Sequence, residues 1–322
     1  MRTSLPARRA LIAVLALAPI AGCSTSDDSS GSSTDAPTAP QGSQAPEAAQ
    51  SSPPDASPEA QESDLDALFS ELENEFDARL GVYAVDTGTE STVAFREDER
   101  FAYASTHKVL SAAVVLDQNS IDDLEETVTY SSDELAAHSP ITEQHVDTGM
   151  TLRELCDAAL RFSDNTAANL LLEEVGGPDG LERALEELGD DVTSVDRYEP
   201  ELNEAAPGDI RDTSTPDALA TDLLKYALGD VLPAEQQGML NDWLRGNTTG
   251  DTLIRAGVPA GWDVGDRSGA GGYGTRNNIA VIWPPDEEPI VMAVLSSKDE
   301  EDAEHDDALI AEAAEIALDA LR

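Results

Sequence analysis

The sequence predicts an α/β fold in which one five-stranded sheet, built from both ends of the folded chain, is interrupted by a long helical insertion. Three observations carry this. Strand-like runs occur near residues 81–95 and again near 262–296, and the stretch between, from about Ser105 to Gly246, reads as successive helices. A helical segment precedes the first strand and another follows the last. An insertion of that length forms a second lobe, and the cleft between lobes is where a ligand site is expected.

Composition narrows the function before any motif is read. The 322 residues carry 19 Lys and Arg against 65 Asp and Glu, a formal charge of −46. Nucleic-acid phosphates and anionic membrane surfaces need clustered cations, so neither is a partner. Hydrophobic residues make up 40%, enough for a sizeable core. Two cysteines cannot build a disulfide scaffold or a Cys-based zinc site. Lysine is confined to Lys108, Lys225 and Lys298, and abundant acid with scarce lysine predicts a surface kept hydrated in high salt.

Residues 1–22 read as a secretory signal peptide. Arg2, Arg8 and Arg9 precede the apolar run Leu11–Ala18, which is too short for a membrane span of about 20 residues. Ile20-Ala21-Gly22-Cys23 resembles the lipobox of bacterial lipoproteins, in which cleavage precedes a cysteine that is then lipidated. The expected location is therefore outside the cell, anchored to the outer face of the cytoplasmic membrane. Cleavage near Ala21 with free release is the alternative. Residues 23–62 then comprise the lipidated cysteine and a disordered Ser/Pro/Gln/Ala linker.

The folded part spans 63–322, with a sheet lobe at about 63–100 and 247–322 and a helical lobe at about 101–246. Leu65, Leu68, Phe69, Leu72 and Phe76 mark the first helix by their 3.6-residue period. Gly81–Asp86 and Ser91–Phe95 form two strands, joined through the turn residues Asp86-Thr87-Gly88. In the helical lobe, Thr151 and Glu154 form a capping box. Pro178 and Pro233 fall in first turns, and Gly189 and Gly229 stop helices. Cys156 lies on an apolar helix face, where a buried, inert thiol is expected. Strands return at Trp262–Arg267, Asn278–Trp283 and Ile290–Ser296, before a last helix from about Asp302 to Leu321. The acidic run Asp299–Asp307 reads as a solvated cap at that helix's positive end.

The chemistry resides in three short motifs. Ser105 stands at an expected helix start with Lys108 three residues on, a spacing that puts both on one face and the amine within reach of the hydroxyl. A serine hydroxyl becomes a useful nucleophile when a neighbour takes its proton, and a helix start offers free N–H groups to an oxyanion. Ser163-Asp164-Asn165, read as a loop, supplies a second hydroxyl and an amide. Asp266-Arg267-Ser268-Gly269-Ala270 closes a strand with a cation, a hydroxyl and small residues that let a ligand approach the backbone.

In this order the motifs resemble the signature of class A serine β-lactamases and penicillin-binding proteins. The resemblance covers about Leu65 to Leu321 and includes Ser139–His145, Gly149–Cys156, Ser163–Leu170, Arg197–Asn203 and Asp212–Pro216. Arg197-Tyr-Glu-Pro-Glu-Leu-Asn203 points to the hydrolases rather than the transpeptidases, because a hydrolase must bring water to the acyl-enzyme. The resemblance implies an antiparallel five-stranded sheet flanked by helices, an inserted all-helical lobe, and an active site between the lobes. It further implies a monomer that takes a small β-lactam and needs neither metal nor cofactor. Ser105 would be the nucleophile, Ser163 the donor to the departing nitrogen, and Glu199 the base that activates water. Whether Lys108 or Glu199 takes the Ser105 proton is left open. The N–H groups of Ser105 and Ala270 would form the oxyanion hole, beside Gly269. Asn165 and Asn203 would orient substrate and water, while Arg267, Ser268 and Arg276 gather the substrate carboxylate. Arg197 and Asp212 would pair across the base of the omega loop. The rival reading is a penicillin-binding D,D-peptidase or sensor that acylates without turnover.

Departures from the family are informative. Arg267 stands where lysine is commonest, which predicts an altered preference among penicillins. His138 replaces an aromatic at the cleft mouth, and Gly271 with Gly272 should leave the strand edge open to bulky substrates. Gly269–Gly274 imitates a phosphate loop without the following Lys-Ser/Thr and helix. His107, His138, His145 and His305 lack metal-ligand spacing, and Asn247-Thr-Thr249 reads as a chance glycosylation pattern.

Overall fold

The computed structural model describes residues 58–322. The segment read as a signal peptide, Cys23 and the stretch read as linker up to residue 57 lie outside the described residues. Helix α1 runs Pro58–Phe76, so it begins inside the stretch read as linker; a proline is well tolerated in a first helical turn. Its Phe69 is fully buried, whereas Leu68, expected on the same face, is 44% exposed.

Strands β1 (Arg79–Asp86) and β2 (Thr92–Phe95) follow as an antiparallel pair. The helical lobe holds α2 (His107–Gln118), α3 (Leu152–Phe162), α4 (Asn165–Glu174), α5 (Pro178–Leu188), α6 (Pro216–Ala227) and α7 (Ala234–Arg245). Four two-residue strands interrupt it: β3 (Phe101–Ala102) pairs with β6 (Thr213–Ser214), and β4 (Thr127–Val128) with β5 (Met150–Thr151). A single turn, α8 (Ile254–Gly257), leads into β7 (Asp263–Ala270), β8 (Arg276–Trp283), β9 (Ile290–Ser297) and α9 (Asp307–Ala320). The last helix starts five residues later than its acidic run implied. Thr151 and Glu154 do form the capping box of α3, and Pro178 opens α5. Pro233 caps α7 from outside rather than sitting in its first turn.

The sheet order is β2-β1-β9-β8-β7, antiparallel throughout, so the two chain ends meet where β1 pairs with β9. Residues Ile290–Leu295 of β9 are all buried. Side chains alternate between faces, and both faces are covered, so this strand reads as a continuous apolar run. Val291, Ala293 and Leu295 join the core shared with α2, α3, α4 and α6. Met292 and Val294 join the opposite core, with Phe69 of α1 and Leu309, Ile310 and Ala313 of α9.

Two asparagines on β8 tie the sheet to its surroundings. Asn277 donates to the carbonyls of Ala102 (2.7 Å) and Tyr103 (3.1 Å), pinning the segment that precedes Ser105. Asn278 donates to Asp266 (2.8 Å), which also accepts from Arg255 (2.6 Å) and Asn247 (3.0 Å). Buried polar side chains with this many partners fix geometry without leaving an uncompensated group.

Candidate active site

Ser105 does not open the α-helix itself. It sits in a 3₁₀ turn, Ala104–Thr106, that runs directly into α2. Ala104 just before it has φ +48°, a left-handed conformation costing roughly 1 kcal/mol or more for a residue with a Cβ. The strained corner turns the chain sharply from β3 into the helix and presents Ser105 at its tip. A Cβ on Gly269 would lie 2.9 Å from the Tyr103 carbonyl and 3.2 Å from the amide nitrogens of Ser105 and Thr106. Only glycine lets β7 press this closely against the Ser105 turn.

Ser163, Asp164 and Asn165 form a joint between helices rather than a free loop. Ser163 ends α3 with φ +58°, Asp164 caps α4 by accepting the Ala167 amide (2.9 Å), and Asn165 is the first residue of α4. The fully buried Asp164 also accepts the amides of Ile141 and Thr142, both at 2.9 Å. Asn165 donates to the Ala137 carbonyl (2.8 Å) and accepts from Lys108 Nζ (2.5 Å). Lys108 Nζ further reaches Ser163 O (3.0 Å), Ser163 Oγ (3.3 Å) and Glu199 Oε1 (2.9 Å). Ser105 is not among its hydrogen-bond partners, contrary to the i,i+3 expectation, because these acceptors draw the amine away along the cleft floor.

Glu199 comes from the loop between α5 and α6. Asp212 closes that loop at its base: it accepts the amides of Asp196 (2.9 Å) and Arg197 (3.0 Å), the Tyr103 hydroxyl (3.2 Å) and Arg197 Nε (2.5 Å). Tyr103 is also the residue that leads into the Ser105 turn, so the segments carrying Ser105 and Glu199 share one anchor. Asn169 of α4 grips the Glu199 backbone from both sides, donating to its carbonyl (2.8 Å) and accepting its amide (2.9 Å). Glu199 is 2% exposed. Its Oε1 accepts from Ser105 Oγ at 3.0 Å, and its Oε2 accepts from Asn203 Nδ2.

Burial would raise the Glu199 carboxyl, but the Lys108 ammonium at 2.9 Å and the nearby His107 ring outweigh it and hold it well below the usual range. Burial pushes the Lys108 ammonium down to about 8, opposed by Glu199 and reinforced by Arg267. The two titrate as a coupled pair, both charged at neutral pH.

The β7 wall completes the cleft. Arg267 is fully buried and donates to Ser163 Oγ, to Thr249 Oγ1 (3.3 Å) and to Ser268 Oγ (3.5 Å). Burial lowers it to about 10, against Asp266 and Glu199, so it stays cationic at neutral pH. Arg276 Nε is held 2.6 Å from Asp307 Oδ1, and Thr252 donates to the other carboxylate oxygen at 2.5 Å. Asp307 is therefore a positioning partner of a site cation, not merely solvated helix-cap charge. The edge at Gly271 and Gly272 is closed rather than open. The Gly272 amide donates to the Asn203 carbonyl (2.9 Å), and a Cβ on Gly271 would lie 2.8 Å from the same oxygen. Ser105, Ser163, Asn165, Asn203, Ser268, Gly269, Ala270 and Arg276 line one cavity of about 290 Å³, with His138 at its rim and Thr249 in its wall. Buried beneath it are Lys108, Glu199 and Arg267.

Comparison with protein families matches residues 62–321 to the Beta-lactamase enzyme family. The chain belongs to the β-lactamase family. It is 60% identical to a β-lactamase of Amycolatopsis lactamdurans over 84% of this chain and 87% of that one. Identity to the Bacillus amyloliquefaciens β-lactamase is 59%, over 79% of this chain and 83% of the relative. Among solved structures, a halotolerant bacterial β-lactamase superposes with a TM-score of 0.78 at 62% identity, covering 79% of this chain and 98% of that one. The class A β-lactamase of Clostridium kluyveri superposes with a TM-score of 0.79 at 52% identity, covering 80% and 98%. This β-lactamase is accordingly a class A serine enzyme that hydrolyses β-lactam antibiotics.

Several residues of the β-lactamase site escaped sequence reading. Thr249 lies in a stretch set aside as a glycosylation pattern, yet its hydroxyl contacts both Arg267 and Ser268 (2.6 Å). Asn169, four residues beyond Asn165, carried a signal in the helical period that puts both near one face. His107 stands between Ser105 and Lys108 and was weighed only as a metal ligand.

Proposed function

We propose that hydrolysis runs through an ester on Ser105 that Glu199 clears with water. The single observation that carries this reading is the buried Glu199 carboxylate, 3.0 Å from Ser105 Oγ and 2.9 Å from Lys108 Nζ. Ser105 Oγ attacks the lactam carbonyl, and Glu199 takes its proton, because a protonated Lys108 has no lone pair to offer. Lys108 bridges Glu199 to Ser163 Oγ, so the proton can pass along this chain to the lactam nitrogen as the C–N bond breaks. Water then attacks the ester, Glu199 accepts its proton, and Ser105 leaves reprotonated. Asn203 Oδ1, without a hydrogen-bond partner among the described residues, is the acceptor left for that water. The N–H groups of Ser105 and Ala270 hold the oxyanion; losing one such donor typically costs ~2.7–4 kcal/mol of barrier lowering. Arg267, Ser268, Thr249 and Arg276 receive the substrate carboxylate, and Asn165 its side-chain amide.

In Glu199→Ala, deacylation should stop, while acylation should slow but continue with Lys108, no longer held protonated by the carboxylate, taking the Ser105 proton. Intact-protein mass spectrometry should then show a persistent penicillin adduct. Undiminished steady-state turnover by that variant would remove Glu199 from the role. A parent enzyme that stops after one equivalent of a chromogenic cephalosporin would instead match a non-hydrolysing penicillin sensor. The buried Arg267 fork underlies the proposed shift in preference among penicillins, and identical kinetics of Arg267→Lys across a penicillin panel would dismiss it.

All residues assigned a role belong to one chain, which supports action as a monomer. The Cys23 context supports a lipid-tethered form outside the cytoplasm. Cys23→Ala should then release the enzyme into the medium, and unchanged membrane fractionation would count against the anchor.

A further inference from the structure

His107 is a buried titratable group that the mechanism above does not use. It is 2% exposed, at the first position of α2, between the nucleophile and Lys108. Its Nε2 lies 3.6 Å from Glu199 Oε1, just beyond hydrogen-bond distance, and has no hydrogen-bond partner among the described residues. Its Nδ1 lies 3.3 Å from Ser111 Oγ, one turn along the same helix. The Tyr103 ring packs beside it, with centroids 5.6 Å apart.

The ring's tautomer follows from these neighbours. Ser111 has one proton, which can go to the His107 carbonyl at 3.4 Å or to Nδ1. In the first case Nδ1 carries the ring proton and Nε2 turns a lone pair toward a carboxylate. In the second case Nδ1 accepts from Ser111, and an N–H faces Glu199. An anion at this distance in a water-poor site selects the second arrangement. The charges around the ring keep it neutral as well. Burial lowers its basicity, with Lys108 and Arg267 adding to that, and Glu199 opposes them only in part.

We propose that His107 is a positioning residue for the general base, a neutral imidazole whose Nε2–H, 3.6 Å from Oε1, favours the ionised form of the Glu199 carboxylate. The proposal rests on the assignment of Glu199 as base. A neutral donor adds no charge to the cleft, so it favours the anionic carboxylate without repelling Lys108 or Arg267. It also approaches Glu199 from the helix side, leaving Oε2 to Asn203 and the cleft side of Oε1 to Ser105 and Lys108.

The test pairs two variants with a measurement on the parent enzyme. His107→Phe keeps the ring and removes the N–H; His107→Gln keeps a donor near the Nε2 position. The acid limb of deacylation in His107→Phe should move up by about half to one pH unit, with kcat near pH 8 within about twofold of the parent. His107→Gln should recover most of that shift. A His107→Phe acid limb coincident with the parent's, or equal shifts in both variants, would overturn the proposal. Nitrogen-15 NMR of the parent should show His107 neutral with the proton on Nε2 from about pH 5 to about pH 8. A proton on Nδ1, or an imidazolium forming in that range, would overturn it even if the variants fail to fold. Because the NMR result does not depend on turnover, and Glu199→Ala reports the base directly, failure of this inference is distinguishable from failure of the mechanism.

Discussion

At the scale of single residues, burial decides which charges the enzyme can use. Lys108, Arg267 and Glu199 are all out of water. Lys108 and Glu199 retain charge by facing each other, whereas Arg267, hydrogen-bonded only to hydroxyls, stays charged because a guanidinium lowered to about 10 is still protonated at neutral pH. Asp222 on α6 shows the contrary outcome. Among the described residues neither of its buried oxygens has a hydrogen-bond donor, and the Lys225 ammonium is 3.7 Å away. Burial, together with the adjacent Asp190, pushes Asp222 up to about 8. Asp190 accepts the Val192 (2.8 Å) and Thr193 (3.0 Å) amides and lies below its ordinary value, so it carries the charge while Asp222 carries the proton. Between the ordinary Asp value and about 8 the native state binds the extra proton, so this pair's contribution to stability falls as pH rises through that window. Asp222→Asn should therefore stabilise the protein by on the order of 1–3 kcal/mol above pH 8, with the gain vanishing near pH 4. Urea unfolding at the two pH values checks this, and an equal gain at both would contradict it.

At the scale of elements, the loop that carries Glu199 is held by a small number of contacts at its base. Asp212 gathers four donors, and the β3–β6 pair lies immediately beside it. Because Tyr103 belongs to both the loop anchor and the nucleophile turn, loosening the base moves Glu199 relative to Ser105. Asp212→Ala should cost about 3 kcal/mol in stability, since Arg197 is only partly exposed and cannot rehydrate fully. Deacylation should fall by more than acylation, and stopped-flow separation of the two steps would reveal it. An equal loss in both steps would mean that the anchor serves folding alone. The closure of this loop was legible as the pairing of Arg197 with Asp212. Its contact with β7 through Gly271 and Gly272 was not, because a glycine pair looks the same in sequence whether its edge is open or covered.

For the whole molecule, the relevant quantity is a formal charge of −46 set against cations buried in one cleft. Self-repulsion among surface carboxylates weakens the compact state, and salt screens it. Raising salt from about 0.01 M to about 1 M shortens the screening length from roughly 30 Å to roughly 3 Å. Tm should climb over that range, and kcat/KM for an anionic penicillin should rise at its low end as the repulsive field is screened. A flat or falling Tm in sodium chloride would assign the acidity to sequence drift instead.

What the sequence determined by itself was local: the helix periods, the capping box at Thr151 and the strand runs, with Ser105, Lys108, Ser163 and Glu199 singled out through resemblance to a family. Periodicity and caps are set by neighbours a few residues apart, so they survive without knowledge of the fold. Tertiary structure alone decided that Glu199 touches a serine 94 residues away, that His107 turns its ring toward that carboxylate, and that Asp307 holds Arg276. Those contacts join segments remote in the chain. They depend on where loops close and how the two cores pack, which no local pattern encodes.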